Sequence, residues 1–186
     1  MKDIEQAKNI KEELKKGNRR FAESLFSQLE TGESLREYLA DNGQHPIATV
    51  LACSDSRVNV EAIFSCGLGR LFVVQSAGNA ILEGELSSIA YAIHHLHTPY
   101  LLVLGHTHCG AVDSVLKGAN EPLLNPLLDK VRAGIANEID PRKAEIENVK
   151  NTVAELDGIF GDDCVIEGAL YDIRLGTVSF LSENRN

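Results

Sequence analysis

Apolar residues recur in two rhythms along this chain, and the change of rhythm divides it. Residues 3–15 place Ile4, Ala7, Ile10 and Leu14 on one stripe at helical spacing, with charged residues between them. Gly17 is expected to stop that helix, and "NRRFAESLFSQL" from Asn18 reads as a second helix capped by Asn18. From Ile47 the grammar changes. Apolar runs of strand length occur at 47–52, at 71–74 ("LFVV") and at 100–104 ("YLLVL"). Helix-compatible stretches lie between and after them: 58–64, then 84–97 with Leu86, Ile89, Ala90 and Ile93 on one stripe, then about 110–117, broken by Gly118 and Pro122. Residues 123–157 are helical in pattern, punctuated by Pro126, Gly134 and Pro141. Val165 to Leu170 and Thr177 to Leu181 read as strands around a turn at Asp172 to Gly176.

Strand–helix alternation of this kind predicts an α/β fold, a mostly parallel central sheet covered by helices. Right-handed crossovers allow the first strand to lie between the second and the third, so the strand order is expected to begin 2-1-3. Residues 1–45 are read as an N-terminal helical arm of the same domain, and 46–186 as the α/β core.

Composition narrows the partners. The chain has 18 basic and 27 acidic residues, a net charge of −9. Such a surface argues against nucleic acid or an anionic membrane as partner, because both demand a cationic footprint. The first twenty residues contain no apolar core of signal-peptide length, and no run approaches the roughly 18 apolar residues of a membrane span. A soluble, cytoplasmic protein is expected. Cys53, Cys66, Cys109 and Cys164 are far apart and are read as reduced thiols.

Candidate chemistry sits at two strand ends. The first strand runs into "LACSDSRVN", where Cys53, Asp55 and Arg57 alternate and share a face in extended chain. The third runs into "LGHTHCGAV", with His106 and Cys109 spaced H-x-x-C. That spacing lets both side chains reach one metal from a tight turn, and Cys53 completes a Cys2His set. Zinc takes such ligands in tetrahedral geometry, with one position left open. In a 2-1-3 sheet both strand ends border the same switch-point crevice. The plainer alternatives are buried thiols with a satisfied core histidine, and an Asp55–Arg57 ion pair holding a turn.

The segments "CSDSRV", "AGN" at 77–79, Tyr91-Ala92 and "GHTHCGAV" resemble those of the β-class carbonic anhydrases. So do "GNRRF", the "HPIATVLACSDSR" lead-in and "GALYDIRLGTVSFL", and the resemblance runs from about Gly17 to Leu181. It implies zinc on Cys53, His106 and Cys109, and a homodimer or higher homo-oligomer whose leading helices wrap a partner. It implies reversible hydration of carbon dioxide to bicarbonate by a zinc-bound hydroxide. Asp55 would orient the nucleophile, and Arg57 would keep Asp55 ionised and turned away from the metal. Without that hold Asp55 could close the site as a fourth ligand. The Gly110 N–H would steady a bicarbonate oxygen, unless Gly110 serves only a tight turn.

Gly69-Arg70 and Gln75-Ser76 depart from the family's usual residues, and both are expected near the crevice. They keep open two alternatives, hydrolysis of carbonyl sulfide or carbon disulfide, and a non-catalytic zinc-binding module. His94, His95 and His97 are read as packed or solvated rather than as a proton shuttle. His108 is read as a donor beside the ligands, and Cys66 and Cys164 as small apolar residues.

Overall fold

The computed structural model describes residues 3–25 and 29–183. Five strands form one sheet: β1 (Ala48–Cys53), β2 (Leu71–Ser76), β3 (Tyr100–His106), β4 (Val165–Tyr171) and β5 (Val178–Phe180). Their order is β2-β1-β3-β4-β5, parallel throughout except for the antiparallel β4–β5 pair. The expected 2-1-3 order is therefore present, and β4 and β5 extend it on the β3 side.

The helices are α1 (Ile4–Ala22), α2 (Glu33–Asn42), α3 (Val60–Ile63), α4 (Glu83–His94), α5 (Gly110–Leu116), α6 (Asn125–Ile135) and α7 (Pro141–Phe160). Pro126 and Pro141 each stand in a helix's first turn, where the missing N–H costs nothing. They start helices rather than interrupt one.

Side chains alternate across the central strands, and each face takes its own cover. Val50, Ala52, Leu102 and Leu104 pack with Ala7, Ile10 and Leu14 of α1 and with Ile63 of α3. Leu51, Leu101 and Val103 pack with Ile89 and Ile93 of α4 and with Val149, Leu156 and Phe160 of α7. Burying a side chain of this size contributes about 1.5–3 kcal/mol. A third apolar cluster, drawn from α5, α6 and the start of α7, surrounds Cys53 and Cys109 at the carboxyl ends of the strands.

The N-terminal expectation is corrected at two residues. Gly17 does not end a helix; α1 runs through it to Ala22. Its small size serves a close approach instead, since an added Cβ would lie 1.8 Å from the Phe64 carbonyl oxygen. Asn18 is no cap but a buried tie. Its Nδ2 donates to the carbonyls of Ile63 and Gly176, at 3.2 and 2.9 Å, and its Oδ1 accepts from the Val178 N–H at 2.8 Å. The second helix expected from Asn18 is thus the end of α1 up to Ala22, and its residues 26–28 lie outside the described residues. α2 follows instead and buries none of its residues in this chain.

Candidate metal centre

β1 and β3 are neighbours in parallel register, with Ala52 opposite Leu104. Their carboxyl ends therefore deliver Cys53 and His106 side by side. One turn further on, Cys109 stands at the N-cap of α5. All three are buried, and their ligating atoms lie within 4.8 Å of one another. Among the described residues they form the one such group of three.

The local hydrogen bonds say what this pocket is built for. His106 Nδ1 lies 2.9 Å from the Thr107 carbonyl oxygen, so the proton sits on Nδ1 and Nε2 keeps its lone pair. That Nε2 is buried without a hydrogen-bond partner, which is costly unless something binds there. The Cys53 sulfur accepts the Gly78 N–H at 3.2 Å. A hydrogen bond from Cys109, opposed by burial and helped by His106 and backbone donors, lowers the Cys53 thiol. The same sharing with Cys53, together with burial, pushes Cys109 up. The first thiolate thus forms at Cys53, and a second anion so close to it calls for a cation. Burial disfavours the charged form of His106, yet contacts with Cys53 leave it raised overall. Two sulfurs and an imidazole lone pair facing one point fit a borderline-soft divalent ion such as zinc.

Asp55 and Arg57 stand beside the triad. The Arg57 backbone N–H and Nε both donate to Asp55 Oδ1 at 2.9 Å, and Nη2 donates to Oδ2 at 2.6 Å. This bidentate grip holds the Asp55 carboxyl well below the usual carboxylate range. Asp55 Oδ2 is 3.9 Å from His106 Nε2, beside the triad but committed to arginine. Arg57 Nη2 also donates to the His108 carbonyl at 3.1 Å, which ties the β1 loop to the β3 loop. His108 contributes that carbonyl from a left-handed backbone (φ 57°), and its side chain is exposed. Gly110 is the exposed first residue of α5, and an added Cβ would meet nothing within 4 Å.

The two departures from the family pattern find ordinary employment. Arg70 is not at the crevice: it precedes β2, at the opposite end of the strand from Ser76, and pairs with Glu13 of α1. Gln75 is near the crevice, and its Nε2 donates to the carbonyls of Cys53 and Val58 at 3.1 and 3.4 Å. His94 ends α4 and meets the Phe160 ring edge-on, and His95 at the C-cap stacks on Tyr91, both remote from the triad along β3; His97 follows in the same loop. Cys66 and Cys164 are buried outside the site.

Two contributors were not expected. Glu145 Oε1 accepts the Cys109 N–H at 3.2 Å, and Asn148 Nδ2 donates to the Gly78 carbonyl at 2.8 Å. The signal available was polar residues at 145, 148 and 152 on the same helical stripe as Val149 and Leu156.

A family model described as carbonic anhydrase matches residues 48–178. Carbonic anhydrase 2 of Mycobacterium tuberculosis is 43% identical over 111 residues, 60% of this chain and 53% of that protein, so the chain spans about half its length. A carbonic anhydrase of Mycolicibacterium smegmatis is 34% identical over 91% of this chain and 90% of its own. Among solved structures, the β-carbonic anhydrase CcaA superposes with a TM-score of 0.69 at 27% identity, covering 93% of this chain and 92% of that one. The tetrameric β-carbonic anhydrases of Sordaria macrospora share the fold at a TM-score of 0.66 and 21% identity, covering 93% and 97% of the two chains.

Proposed function

The chain belongs to the β class of the carbonic anhydrase family, and from that premise we propose that it catalyses the reversible hydration of carbon dioxide to bicarbonate. The observation that carries the reading is the buried Cys53–His106–Cys109 triad with an unpartnered His106 Nε2 and an arginine-held carboxylate beside it. Those three residues would hold zinc. When bound, zinc supplies Lewis acidity that makes water a nucleophile near neutral pH. Two thiolates cancel the charge of a dication, so activation is weaker than with three histidines; the Gly78 N–H on Cys53 offsets part of that.

The protein's own groups then position the reaction. Asp55 accepts a hydrogen bond from the attacking water and aims its lone pair. Arg57 keeps Asp55 anionic and turned toward itself, which supports an open form of the site. Asp55 would be free to serve as a fourth ligand only if that grip were released. The Gly110 N–H steadies a product oxygen at the mouth. The apolar cluster of Ala80, Val112 and Leu128 excludes competing water from the sulfur side.

The setting is part of the same proposal. Residues 46–186 carry the chemistry and 1–45 form the arm. A homodimer or higher oligomer is supported by α2, none of whose residues is fully buried within one chain, and by the tetramers of the Sordaria relatives. A cytoplasmic location is supported by four free thiols; no described helix is long and apolar enough to cross a membrane. The net charge of −9 speaks against nucleic acid and membrane partners. Gln75 and Arg70 are occupied by main chain and by Glu13, so they lend nothing to the sulfur-gas or non-catalytic alternatives.

The test is oxygen-18 exchange between carbon dioxide and water on zinc-loaded protein, with carbonyl sulfide and carbon disulfide turnover alongside. Exchange well above background, exceeding turnover of both sulfur gases, is the expected result. Background exchange with stoichiometric zinc would sink the catalytic reading.

A further inference from the structure

A buried carboxylate on α7 is not explained by the packing of a helix on a sheet. Glu145 is 6% exposed and Asn148 4%, and both face inward one turn apart. Apolar residues would cover the sheet more cheaply, because a buried carboxylate loses hydration and needs compensation. Arg142 Nη1 lies 3.9 Å from Glu145 Oε2, at the edge of ion-pair range, and the arginine side chain is half exposed. What Glu145 does contact is the Cys109 N–H, at 3.2 Å. Asn148 contacts the Gly78 carbonyl at 2.8 Å, and the N–H of that same Gly78 donates to the Cys53 sulfur. One turn of α7 therefore grips two separate loops, each tied to a different sulfur. α6 accommodates the arrangement: at Gly134 an added Cβ would come within 2.7 Å of Asn148 Oδ1.

We propose that Glu145 and Asn148 are positioning residues of the metal centre, which fix the spacing of the Cys53 and Cys109 sulfurs and thereby the hold on the metal. The inference rests on the metal-binding reading above. Neither residue touches the triad's ligating atoms; both act through the peptide groups next to them. Glu145 also brings negative charge behind Cys109, which favours a bound cation. Partners behind metal ligands commonly set metal affinity in this way.

The test uses the full chain loaded with zinc. Zinc release into an excess of chelator is measured for wild type, Glu145→Ala, Glu145→Gln, Asn148→Ala and Val149→Ala, with thermal midpoints for each. The thiolate-to-metal absorption of cobalt-substituted protein is recorded in parallel. Glu145→Ala and Asn148→Ala are expected to release zinc roughly 10–100-fold faster than wild type and to shift the cobalt spectrum. Glu145→Gln, which keeps an acceptor and loses the charge, should fall between. Val149→Ala, a buried neighbour that reaches no metal-site loop through a polar atom, should lower the midpoint and release zinc at the wild-type rate. Lower midpoints with wild-type release and an unchanged spectrum would overturn the proposal. So would a Val149→Ala release as fast as that of Glu145→Ala. If Glu145→Ala does not fold, Glu145→Gln and Asn148→Ala decide, and wild-type release from both overturns it. A wild-type chain that takes up no zinc defeats the metal reading itself, a separate outcome.

Discussion

The two ends of β3 bury polar groups by opposite rules. Toward the amino end, Glu167 of β4 is fully engaged: Lys11 Nζ donates to its Oε1 at 2.9 Å, Ser182 Oγ to the same oxygen at 2.7 Å, and Tyr100 Oη to its Oε2 at 2.6 Å. Thr49 and Thr98 close a similar buried pair, 2.8 Å apart. At the carboxyl end, His106 Nε2 has no partner, and Gly78, Asn79 and His108 hold left-handed backbone conformations. A closed network stabilises; an open one leaves free energy for a ligand to recover. The contrast assigns stability to the amino end and chemistry to the carboxyl end of one sheet.

The hardest test of that division is removal of a ligand. Cys109→Ala should lose zinc and bring carbon dioxide hydration down by several orders of magnitude to the uncatalysed rate. The metal-free protein should unfold within about 1 kcal/mol of metal-free wild type, since little packing volume is lost. Metal analysis and denaturant titration read the two halves. A large stability loss without metal would show that the carboxyl end also holds the fold together.

Asp55→Ala separates metal binding from orientation. Zinc content should stay stoichiometric while kcat falls roughly 100-fold, the lower range for a positioned proton-handling group. Full activity in this variant would remove Asp55 from the mechanism and leave Arg57 as a loop tie.

Much of the candidate site could be read from sequence because its three residues follow strands directly. Cys53 ends β1, His106 ends β3, and Cys109 is three residues on, so a correct strand order brings them together. Glu145 and Asn148 were opaque for the converse reason. Their partners lie 36 and 70 residues away, and a polar residue on a helix reads as solvated until the helix is docked. Gly17-Asn18 misled because local helix grammar and long-range packing use the same letters: a stop and a cap in one case, a close contact with Phe64 and a three-way tie in the other. α2 offered only the short stripe of Leu35, Tyr38 and Leu39, and none of its residues is fully buried in its own chain.

At the amino end, Glu167→Gln should cost about 2 kcal/mol at neutral pH, the scale of hydrogen bonds to a charged group, with turnover per folded molecule unchanged. Burial raises the Glu167 carboxyl, but hydrogen bonds from Tyr100, Lys11 and Ser182 outweigh it and hold the group below its ordinary value. A depressed folded-state pKa stabilises above the unfolded value, about 4.3 for glutamate, and the contribution is lost as pH falls through the folded value. The stability gap between wild type and Glu167→Gln should therefore be full at pH 6 and should narrow below about pH 4. Urea titrations across that range read it. A gap that stayed constant would mean that Glu167 contributes by shape and not by charge.

The smallest effect concerns Cys66, which follows α3 and packs in the apolar cluster on the α1 face of the sheet. Burial first, and then the nearby Glu13 charge, push its thiol up to about 11. Reactivity follows the thiolate, so at pH 8 this group should be almost wholly protonated and shielded. Alkylation of native zinc-loaded protein at pH 8 should leave Cys66 unmodified while the unfolded chain reacts fully. Chelating the metal should expose Cys53 first, because its thiol is the lowered one of the pair, and should leave Cys66 protected. Mass spectrometry of the modified peptides distinguishes the two sites. Equal labelling of Cys66 and Cys53 after chelation would mean that losing the metal loosens the packing around Cys66 as well, and the contrast between an open site and a closed core would not hold there.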